Sequence, residues 1–304
     1  MTTATLSQPS TKDPYPSRHA PEPQLVERQD PVVYGEPRGG LSALHRRAHE
    51  TRGFLAFPGF LHADELRTYQ EEAERLRTLD ALAGRPEVIT EPGGGEVRSV
   101  FEVHKLSEVI DRLSRHPKIL NVVTEILGGD VYLHQSRVNY KPGFRGKEFY
   151  WHSDFETWHL EDGMPRMRAV SCSISLTENT PFNGPLMLIP GSHQIYVSCV
   201  GETPENHYES SLKKQEYGVP DDQSLARLAE AGGIEAPTGP AGSATFFDCN
   251  TMHGSNSNIS PLPRTNVFFV YNSVENTLVE PFSGQKPRPG YIADRGDASP
   301  LVAA

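Results

Sequence analysis

The spacing of apolar residues changes along the chain at Gly129. Before this glycine, apolar residues recur every three or four positions, which is the repeat of a helix with one buried face. The repeat predicts three helices, over residues 41–52, 64–76 and 107–127. Because the third of these contains Pro117, we expect it to bend at that residue.

Beyond Gly129 the apolar residues follow the repeat of β-strands. Residues 168–176 are the clearest case, because Val170, Cys172 and Ile174 alternate there with serines. One face of this strand is expected to pack in a core, and the other to present small hydroxyl groups. Further strands are predicted over residues 53–57, 131–140, 186–189, 244–248 and 266–272.

The abundance of residues that interrupt regular structure narrows the fold class. The chain contains 26 Gly and 26 Pro among 304 residues, which argues against long helical bundles. We therefore predict one domain over residues 31–304 that is mainly β with flanking helices, a sandwich or a barrel. The proline-rich residues 1–30 are expected to form a flexible arm. Residues 200–242, polar and rich in Gly and Pro, are expected to be an insertion able to cover a site.

Composition excludes several classes of partner. Asp and Glu number 39 against 29 Lys and Arg, giving a net charge of −10, and the chain has no basic run of the kind that binds nucleic acid. No stretch approaches the length of about 20 apolar residues that a membrane span requires. The three cysteines lack the spacing of a zinc site or a disulfide framework, which favours the reducing cytoplasm.

The residues with the clearest chemical potential are His152, Asp154 and His253. On an extended chain, the first two would point to the same side and offer an imidazole nitrogen and a carboxylate oxygen. His253 follows the predicted strand 244–248 and precedes Gly254, which permits a tight turn. Two histidines and one carboxylate form the ligand set that leaves open positions on non-haem Fe(II). His159 and His193 are expected not to be ligands, because they would close those positions.

Arg264 strengthens this interpretation. A guanidinium forms two parallel hydrogen bonds with a carboxylate, so an arginine eleven positions after His253 suits a co-substrate with a distal carboxylate. Taken singly, the histidines and Arg264 are more often structural residues. Their combination in this order favours an iron site.

These residues lie within a longer resemblance that covers nearly the whole chain from Asp13. The chain resembles the phytanoyl-CoA dioxygenase superfamily of Fe(II)- and 2-oxoglutarate-dependent oxygenases. Within it, residues 149–164 (FYWHSDFETWHLEDGM) resemble the signature of the ectoine hydroxylases. Residues 13–18 and 27–34 match the beginning of the same family.

The resemblance implies a double-stranded β-helix core of the jelly-roll or cupin type. It implies a homodimer that hydroxylates ectoine at C5, using Fe(II), 2-oxoglutarate and O2. His152, Asp154 and His253 match the iron ligands and form the implied catalytic centre. The positions that match the family's co-substrate pocket are Gln135, Asn139, Lys141, Phe149, Ser255 and Arg264.

A further set of residues resembles the family positions around ectoine, a small cyclic zwitterion. Its members are Gln135, Thr157, Trp158, Ala169, Phe247, Asn266, Phe268 and Arg288. Aromatic faces such as Trp158 and Phe247 suit the delocalised cation of ectoine. Phe246 and Phe269, which should face the other side of their strands, and Trp151, which alternates away from His152, are expected to pack in the core instead.

Three other functions compete with this interpretation. A hydroxylase of another small zwitterion, such as a proline derivative, would keep the three ligands and Arg264 but change the surroundings of Trp158. A halogenase would replace the carboxylate ligand by a small residue, and Asp154 argues against it. A binding protein without activity would be expected to lose at least one ligand, whereas all three are present.

Overall fold

The computed structural model describes residues 13–92, 95–206, 208–212, 217–296 and 298–304. The described strands are β1 (Gln24–Glu27), β2 (Phe54–Phe57), β3 (Val88–Thr90), β4 (Val97–Phe101), β5 (Val131–Lys141), β6 (Phe149–His152), β7 (Ala169–Ser175), β8 (Met187–Leu188), β9 (Ile195–Ser198), β10 (Ala244–Asp248), β11 (His253–Ser255) and β12 (Arg264–Ser273). The α-helices are α1 (Ala43–Arg52), α2 (Ala63–Thr78), α3 (Val103–Leu106), α4 (Glu108–Ser114), α5 (Pro117–Leu127), α6 (Asp154–Asp162), α7 (Tyr208–Ser211) and α8 (Asp222–Gly232).

Two antiparallel sheets form the centre of the molecule. The larger has seven strands in the order β2-β10-β7-β12-β5-β4-β3, and the smaller has three in the order β6-β11-β8. Phe247 and Phe268 of the large sheet pack against Leu188 of the small sheet, so the two sheets face each other across a thin apolar layer. This arrangement confirms the predicted jelly-roll core with flanking helices.

The main hydrophobic core lies on the opposite face of the large sheet. Apolar residues of α2, α4 and α5 pack there against β5, β7, β10 and β12. Phe246 and Phe269 belong to this core, whereas their neighbours Phe247 and Phe268 lie between the sheets, as the alternation of strands predicts.

The strand β7 shows how alternation prepares the site. Its Cys172 and Ile174 pack in the main core, while Ser171 and Ser173 face the interior between the sheets. Both faces are buried, because the helices of the main core cover one face and the interior between the two sheets lies on the other. The predicted row of hydroxyl groups therefore lines an enclosed interior and not the solvent.

The described part of the N-terminal segment differs from the flexible arm expected from its prolines. Tyr15 is completely buried, and β1 pairs with β9. Tyr15 packs against Phe155 of α6, and its hydroxyl donates to Asp30 over 2.9 Å. Residues 13–30 therefore dock on the rest of the chain, because proline also suits an extended segment that packs through its side chains.

Two other sequence expectations are refined by the structure. Pro117 does not bend one helix but begins α5 after the separate helix α4, a position where its missing N–H costs no hydrogen bond. The expected insertion at 200–242 contains α7 and α8 in its described residues.

None of the helices in the described part of the chain is long and apolar enough to cross a membrane.

Candidate active site

The two candidate histidine ligands lie opposite each other on paired strands. In the antiparallel pair of β6 and β11, His152 is the direct partner of His253, and their ring centroids are 4.2 Å apart. Directly opposite residues in a ladder place their side chains on the same face of the sheet. Strand register therefore brings together two histidines that are about one hundred positions apart in the sequence.

Asp154 reaches the same point from the beginning of α6. Its Oδ1 lies 3.7 Å from His152 Nε2, and its Oδ2 lies 3.8 Å from His253 Nε2. An extended chain was predicted here, but Asp154 is the first residue of a helix. The chain turns from strand to helix at Ser153, and this turn aims the carboxylate at the two rings.

The hydrogen bonds of the histidines prepare both rings for a metal. His152 Nδ1 lies 2.6 Å from the carbonyl oxygen of Tyr150, and His253 Nδ1 lies 2.9 Å from that of Thr251. A carbonyl only accepts, so each Nδ1 carries the hydrogen and each Nε2 offers its lone pair. Burial, and then the neighbouring His253, lowers the pKa of His152 to about 4, which keeps it neutral.

This donor set fits a metal ion. One ligand atom from each of His152, Asp154 and His253 lies within 4.8 Å of the others, and no further His, Cys, Asp or Glu joins this group among the described residues. Two imidazoles and one carboxylate on one side leave the other side open, which suits non-haem Fe(II). His159 lies elsewhere, with its Nε2 2.9 Å from Asp13.

Arg264 lies at one end of the space beside the three ligands. It begins β12, pairs with Lys141 of β5, and is 3% exposed. Its Nε has no hydrogen-bond partner in the described part of the chain. Burial, and then the charge of Arg98, lowers the pKa of Arg264 to about 10. A buried guanidinium without a carboxylate beside it is well suited to bind an anion.

Ser255 and Lys141 stand next to Arg264. Lys141 Nζ donates to Ser255 Oγ over 2.7 Å and to the carbonyl oxygen of Asn256 over 2.6 Å. Burial, followed by the charges of Arg264 and Arg98, lowers the pKa of Lys141 to about 6. Because Lys141 occupies a lone pair of the serine oxygen, the serine hydroxyl remains able to donate to an anion held by Arg264.

The other predicted co-substrate residues lie along the same wall. Asn139 Oδ1 accepts from Ser99 over 2.8 Å, which leaves its amide nitrogen able to donate. The Phe149 ring lies 3.7 Å beneath the guanidinium carbon of Arg98. Gln135 Nε2 donates to the carbonyl oxygen of Ile292 over 2.6 Å. Asn139 and Phe149 line both cavities beside the metal ligands, and Gln135 lines one of them.

The opposite end of the space is formed by α6 and the C-terminal region. Thr157, Trp158 and Arg288 line a cavity of 100 Å³ that also reaches His152 and Asp154. Arg288 Nε donates to one oxygen of Asp162 over 2.8 Å, and its Nη2 donates to the other over 2.5 Å. Burial would lower the pKa of Arg288, but Asp162 and Glu161 outweigh it and raise the pKa.

The remaining predicted substrate residues differ in how close they lie to this space. Phe268 lines a second cavity of 40 Å³ beside His253, and the Phe247 ring centroid is 4.9 Å from that of His253. Ala169 packs behind Trp158, and Asn266 Nδ2 donates to Ser173 over 3.0 Å. Among the described residues that line the two cavities, neither Ala169 nor Asn266 is included.

Arg137 and Tyr217 were not among the predicted site residues. Arg137 lines both cavities, and its guanidinium carbon lies 5.0 Å from the centre of the Phe268 ring. Tyr217 comes from the expected insertion and lines the cavity that contains Trp158. Strand alternation could have found Arg137, because it shares a face of β5 with Gln135 and Asn139. Nothing in the local sequence marks Tyr217.

Comparison with known proteins agrees with this geometry. The model of the phytanoyl-CoA dioxygenase family (PhyH) matches residues 49–266. Ectoine dioxygenase of Bordetella parapertussis is 59% identical over 286 residues, covering 93% of this chain and 93% of that protein. The crystal structure of EctD from S. alaskensis with 2-oxoglutarate and 5-hydroxyectoine has a TM-score of 0.88 at 47% identity, covering 96% of this chain and 98% of that chain.

A second structure of EctD from S. alaskensis, with bound Fe, has a TM-score of 0.85 at 45% identity, covering 96% of this chain and 98% of that chain. The sequence relatives and the solved structures are therefore similar to this chain over nearly its whole length. The chain belongs to the phytanoyl-CoA dioxygenase family, and within that family it groups with the ectoine dioxygenases.

Proposed function

We propose that this protein hydroxylates ectoine to 5-hydroxyectoine, consuming 2-oxoglutarate and O2 and releasing succinate and CO2. The observation that carries the proposal is the position of the three candidate ligands between two cavities. One cavity contains Arg264 and the other contains Trp158 and Arg288. The relatives named ectoine dioxygenase, and the EctD structure with 2-oxoglutarate and 5-hydroxyectoine, support the choice of substrate.

In this proposal His152, Asp154 and His253 hold Fe(II). The bound metal, with 2-oxoglutarate and O2, supplies the oxidising chemistry that replaces a C–H bond of the substrate by C–OH. The carbonyl oxygens of Tyr150 and Thr251 fix the orientation of the two histidines and leave each Nε2 able to bind the metal.

For the co-substrate, we assign the distal carboxylate of 2-oxoglutarate to Arg264 and Ser255. Lys141 orients the Ser255 hydroxyl. Asn139 and Phe149 shape the wall beside them, Arg137 lines the cavities at both ends, and Gln135 lines the cavity at the substrate end. The support for this assignment is that the buried Arg264 Nε atom has no hydrogen-bond partner among the residues that the structure describes.

For the substrate, Trp158 offers its face to the delocalised cation, an interaction of about 0.5–2 kcal/mol. Arg288, whose Nε and Nη2 donate to the two carboxylate oxygens of Asp162, is positioned to bind the carboxylate of ectoine. Thr157 lies beside Trp158, and Phe247 and Phe268 form apolar surface near His253. Ala169 and Asn266 support this wall from behind.

The decisive test is an assay with Fe(II) added under anaerobic conditions, followed by 2-oxoglutarate, O2 and ectoine. Mass spectrometry should find ectoine with one added oxygen and one succinate for each product molecule. His152→Ala should abolish both products. Succinate without a product from ectoine, or preferential hydroxylation of a proline derivative offered in parallel, would overturn the substrate assignment.

We further propose that residues 31–304 form one domain and that the protein works as a homodimer in the cytoplasm, in compatible-solute synthesis under osmotic or heat stress. The resemblance to its family supports the dimer, and three cysteines without the spacing of a disulfide framework favour a reducing compartment. Light scattering of the purified protein tests the dimer, since a mass near one chain would contradict it.

A further inference from the structure

A buried group of charged side chains lies directly behind the substrate end of the cavity. Arg18 Nε and Nη2 donate to the two oxygens of Glu156 over 2.9 and 2.6 Å. Its Nη1 donates to Glu161 over 2.8 Å and to Thr203 over 2.8 Å. Arg18 is 5% exposed and Glu156 1% exposed. None of the roles proposed above uses the pair of Arg18 and Glu156.

The N-terminal segment that carries Arg18 is fixed by further contacts. Arg18 has a φ of 58°, in the left-handed region that residues other than glycine rarely adopt. Its backbone N–H donates to the carbonyl oxygen of Cys199 over 2.8 Å, and the Ser17 hydroxyl donates to Glu156 over 2.6 Å. An unfavourable backbone conformation persists only where surrounding contacts hold it. The segment is therefore a fixed support for α6.

Tyr217 and Gly218, which we call the covering segment, lie on the other side of this pair. Gly218 has a φ of +67°, and a β-carbon at this position would lie 2.5 Å from Glu156 Oε2 and 2.7 Å from Arg18 Nη2. It would also lie 3.0 Å from the hydroxyl of Thr157. The backbone of the covering segment therefore rests directly on the ion pair, and only glycine fits there.

The preceding residue, Tyr217, is part of the cavity wall. It lines the same cavity as Thr157, Trp158 and Arg288. Its neighbour in the chain, Gly218, is the residue that approaches the pair of Arg18 and Glu156. One buried ion pair thus joins three parts of the chain that are distant in sequence, namely the N-terminal segment, α6 and the covering segment.

We propose that Arg18 is a positioning residue for the substrate. Together with Glu156 it forms the surface on which Gly218 rests, and it thereby places Tyr217 and Thr157 around a small zwitterion bound against Trp158. This inference rests on the proposed function and extends it to residues outside the cavity. Arg18 lies behind the substrate end, so its removal should weaken substrate binding and leave the co-substrate end intact.

The test compares Arg18→Gln with Arg46→Gln as a matched control. Arg46 also donates to a buried carboxylate, Glu125, over 2.7 Å, but it does not line either cavity of the active site. Both variants lose a buried ion pair and are expected to unfold at lower temperature. Only Arg18→Gln should raise the KM for ectoine, by about tenfold, with the KM for 2-oxoglutarate within about twofold of wild type.

Two further variants keep the inference testable if Arg18→Gln folds poorly. Gly218→Ala leaves all charges in place but pushes the covering segment off the pair, so it should also raise the KM for ectoine by about tenfold. Arg18→Lys keeps the positive charge but cannot form the bidentate hydrogen bonds to Glu156. The KM for ectoine should therefore rise by an intermediate factor of about threefold. Calorimetric titration of ectoine without O2 should give matching increases in the dissociation constant.

The inference fails if Arg18→Gln and Gly218→Ala bind ectoine as wild type does, or if they raise both KM values equally. It also fails if Arg46→Gln has the same effect as Arg18→Gln, because the loss would then be one of general stability. Failure of the proposed function has a different signature, since wild type itself would form no hydroxylated ectoine. If wild type hydroxylates another small zwitterion, the same variants decide the role of Arg18 with that substrate.

Discussion

The two ends of the active site hold their buried arginines in opposite ways. At the co-substrate end, Arg264 has no carboxylate beside it in the described part of the chain, and burial lowers its pKa to about 10. At the substrate end, burial would lower the pKa of Arg18, but Glu156 and Glu161 outweigh it and raise the pKa. Arg288 is paired in the same way with Asp162.

The difference indicates what each end is built to bind. Burying a cation without a partner costs free energy, and a bound anion offsets that cost. The end at Arg264 is therefore suited to bind a negatively charged ligand strongly. The paired arginines at the other end have their charge satisfied by the protein. That end is therefore suited to a ligand that is neutral overall. It would recognise such a ligand by its shape, by contact with an aromatic face and by the orientation of its charged groups.

The largest expected effect comes from removing a ligand between the two ends. His253→Ala should lower iron affinity and reduce hydroxylation by at least about 1,000-fold, because two remaining ligands hold the metal poorly. Iron content after anaerobic loading and product yield measure the two effects. His45→Ala, a change on the outer helix α1, is the matched control and should retain both. Full iron content and activity in His253→Ala would exclude His253 as a ligand.

The next effect separates the two kinds of arginine by their contribution to stability. Arg18→Met should lower the free energy of unfolding by about 3–5 kcal/mol, because it leaves Glu156 buried without its cation. Arg264→Met should instead raise it by about 1 kcal/mol in protein without co-substrate, because an unpaired buried charge is removed.

Urea unfolding of the metal-free proteins measures both free energies, and calorimetry should show that Arg264→Met no longer binds 2-oxoglutarate. Equal destabilisation by the two substitutions would contradict the distinction between a structural and a ligand-binding arginine.

A smaller effect is the contribution of Lys141, at the co-substrate end, to the pH dependence of the free energy of unfolding. Its pKa is lowered to about 6 by burial, whereas in the unfolded chain it is about 10.4. Between these values the unfolded state binds the additional proton, so stability rises with pH. Relative to Lys141→Met, wild type should gain up to about 1.4 kcal/mol per pH unit over this range.

Urea unfolding of wild type and Lys141→Met from pH 6 to pH 9, without co-substrate, gives the slope of the free energy of unfolding against pH for each protein. Equal slopes would show that Lys141 is charged in the folded protein.

The smallest expected effect tests recognition at the substrate end. Trp158→Phe keeps an aromatic face but weakens the interaction with a cation, so the KM for ectoine should rise by about threefold to tenfold. Trp151→Phe is the matched control, because Trp151 packs in a separate apolar cluster. Steady-state kinetics of both variants decides the point. If the two tryptophan variants behave alike, Trp158 does not contact the substrate.

The candidate metal ligands were predictable, because short stretches of sequence contain the motif and the strand pattern that point to them. His152 and Asp154 form a short motif on a chain expected to be extended, and His253 follows the predicted strand 244–248, even though α6 was not expected. The alternation in β7 likewise predicted which residues face the core. Local sequence decides these features because the repeat of a strand fixes the side on which each side chain lies.

The support behind the substrate end was not predictable in this way. The prolines before residue 30 suggested flexibility, but Tyr15 and Arg18 are buried against α6. The close approach of Gly218 to Glu156 joins segments that are about sixty positions apart. Such contacts leave no periodic pattern in the sequence, because each depends on one side chain meeting another across the packed structure.

The sequence by itself determined the fold class, the three candidate iron ligands and the arginine proposed for the co-substrate, because each depends on local periodicity or on a motif. Tertiary structure alone decided that His152 faces His253, that Arg264 Nε has no hydrogen-bond partner among the described residues and that Arg18 is paired. The physical reason is that the charge state and binding capacity of a buried group depend on the neighbours that folding brings to it. Those neighbours come from parts of the chain that the local pattern does not connect.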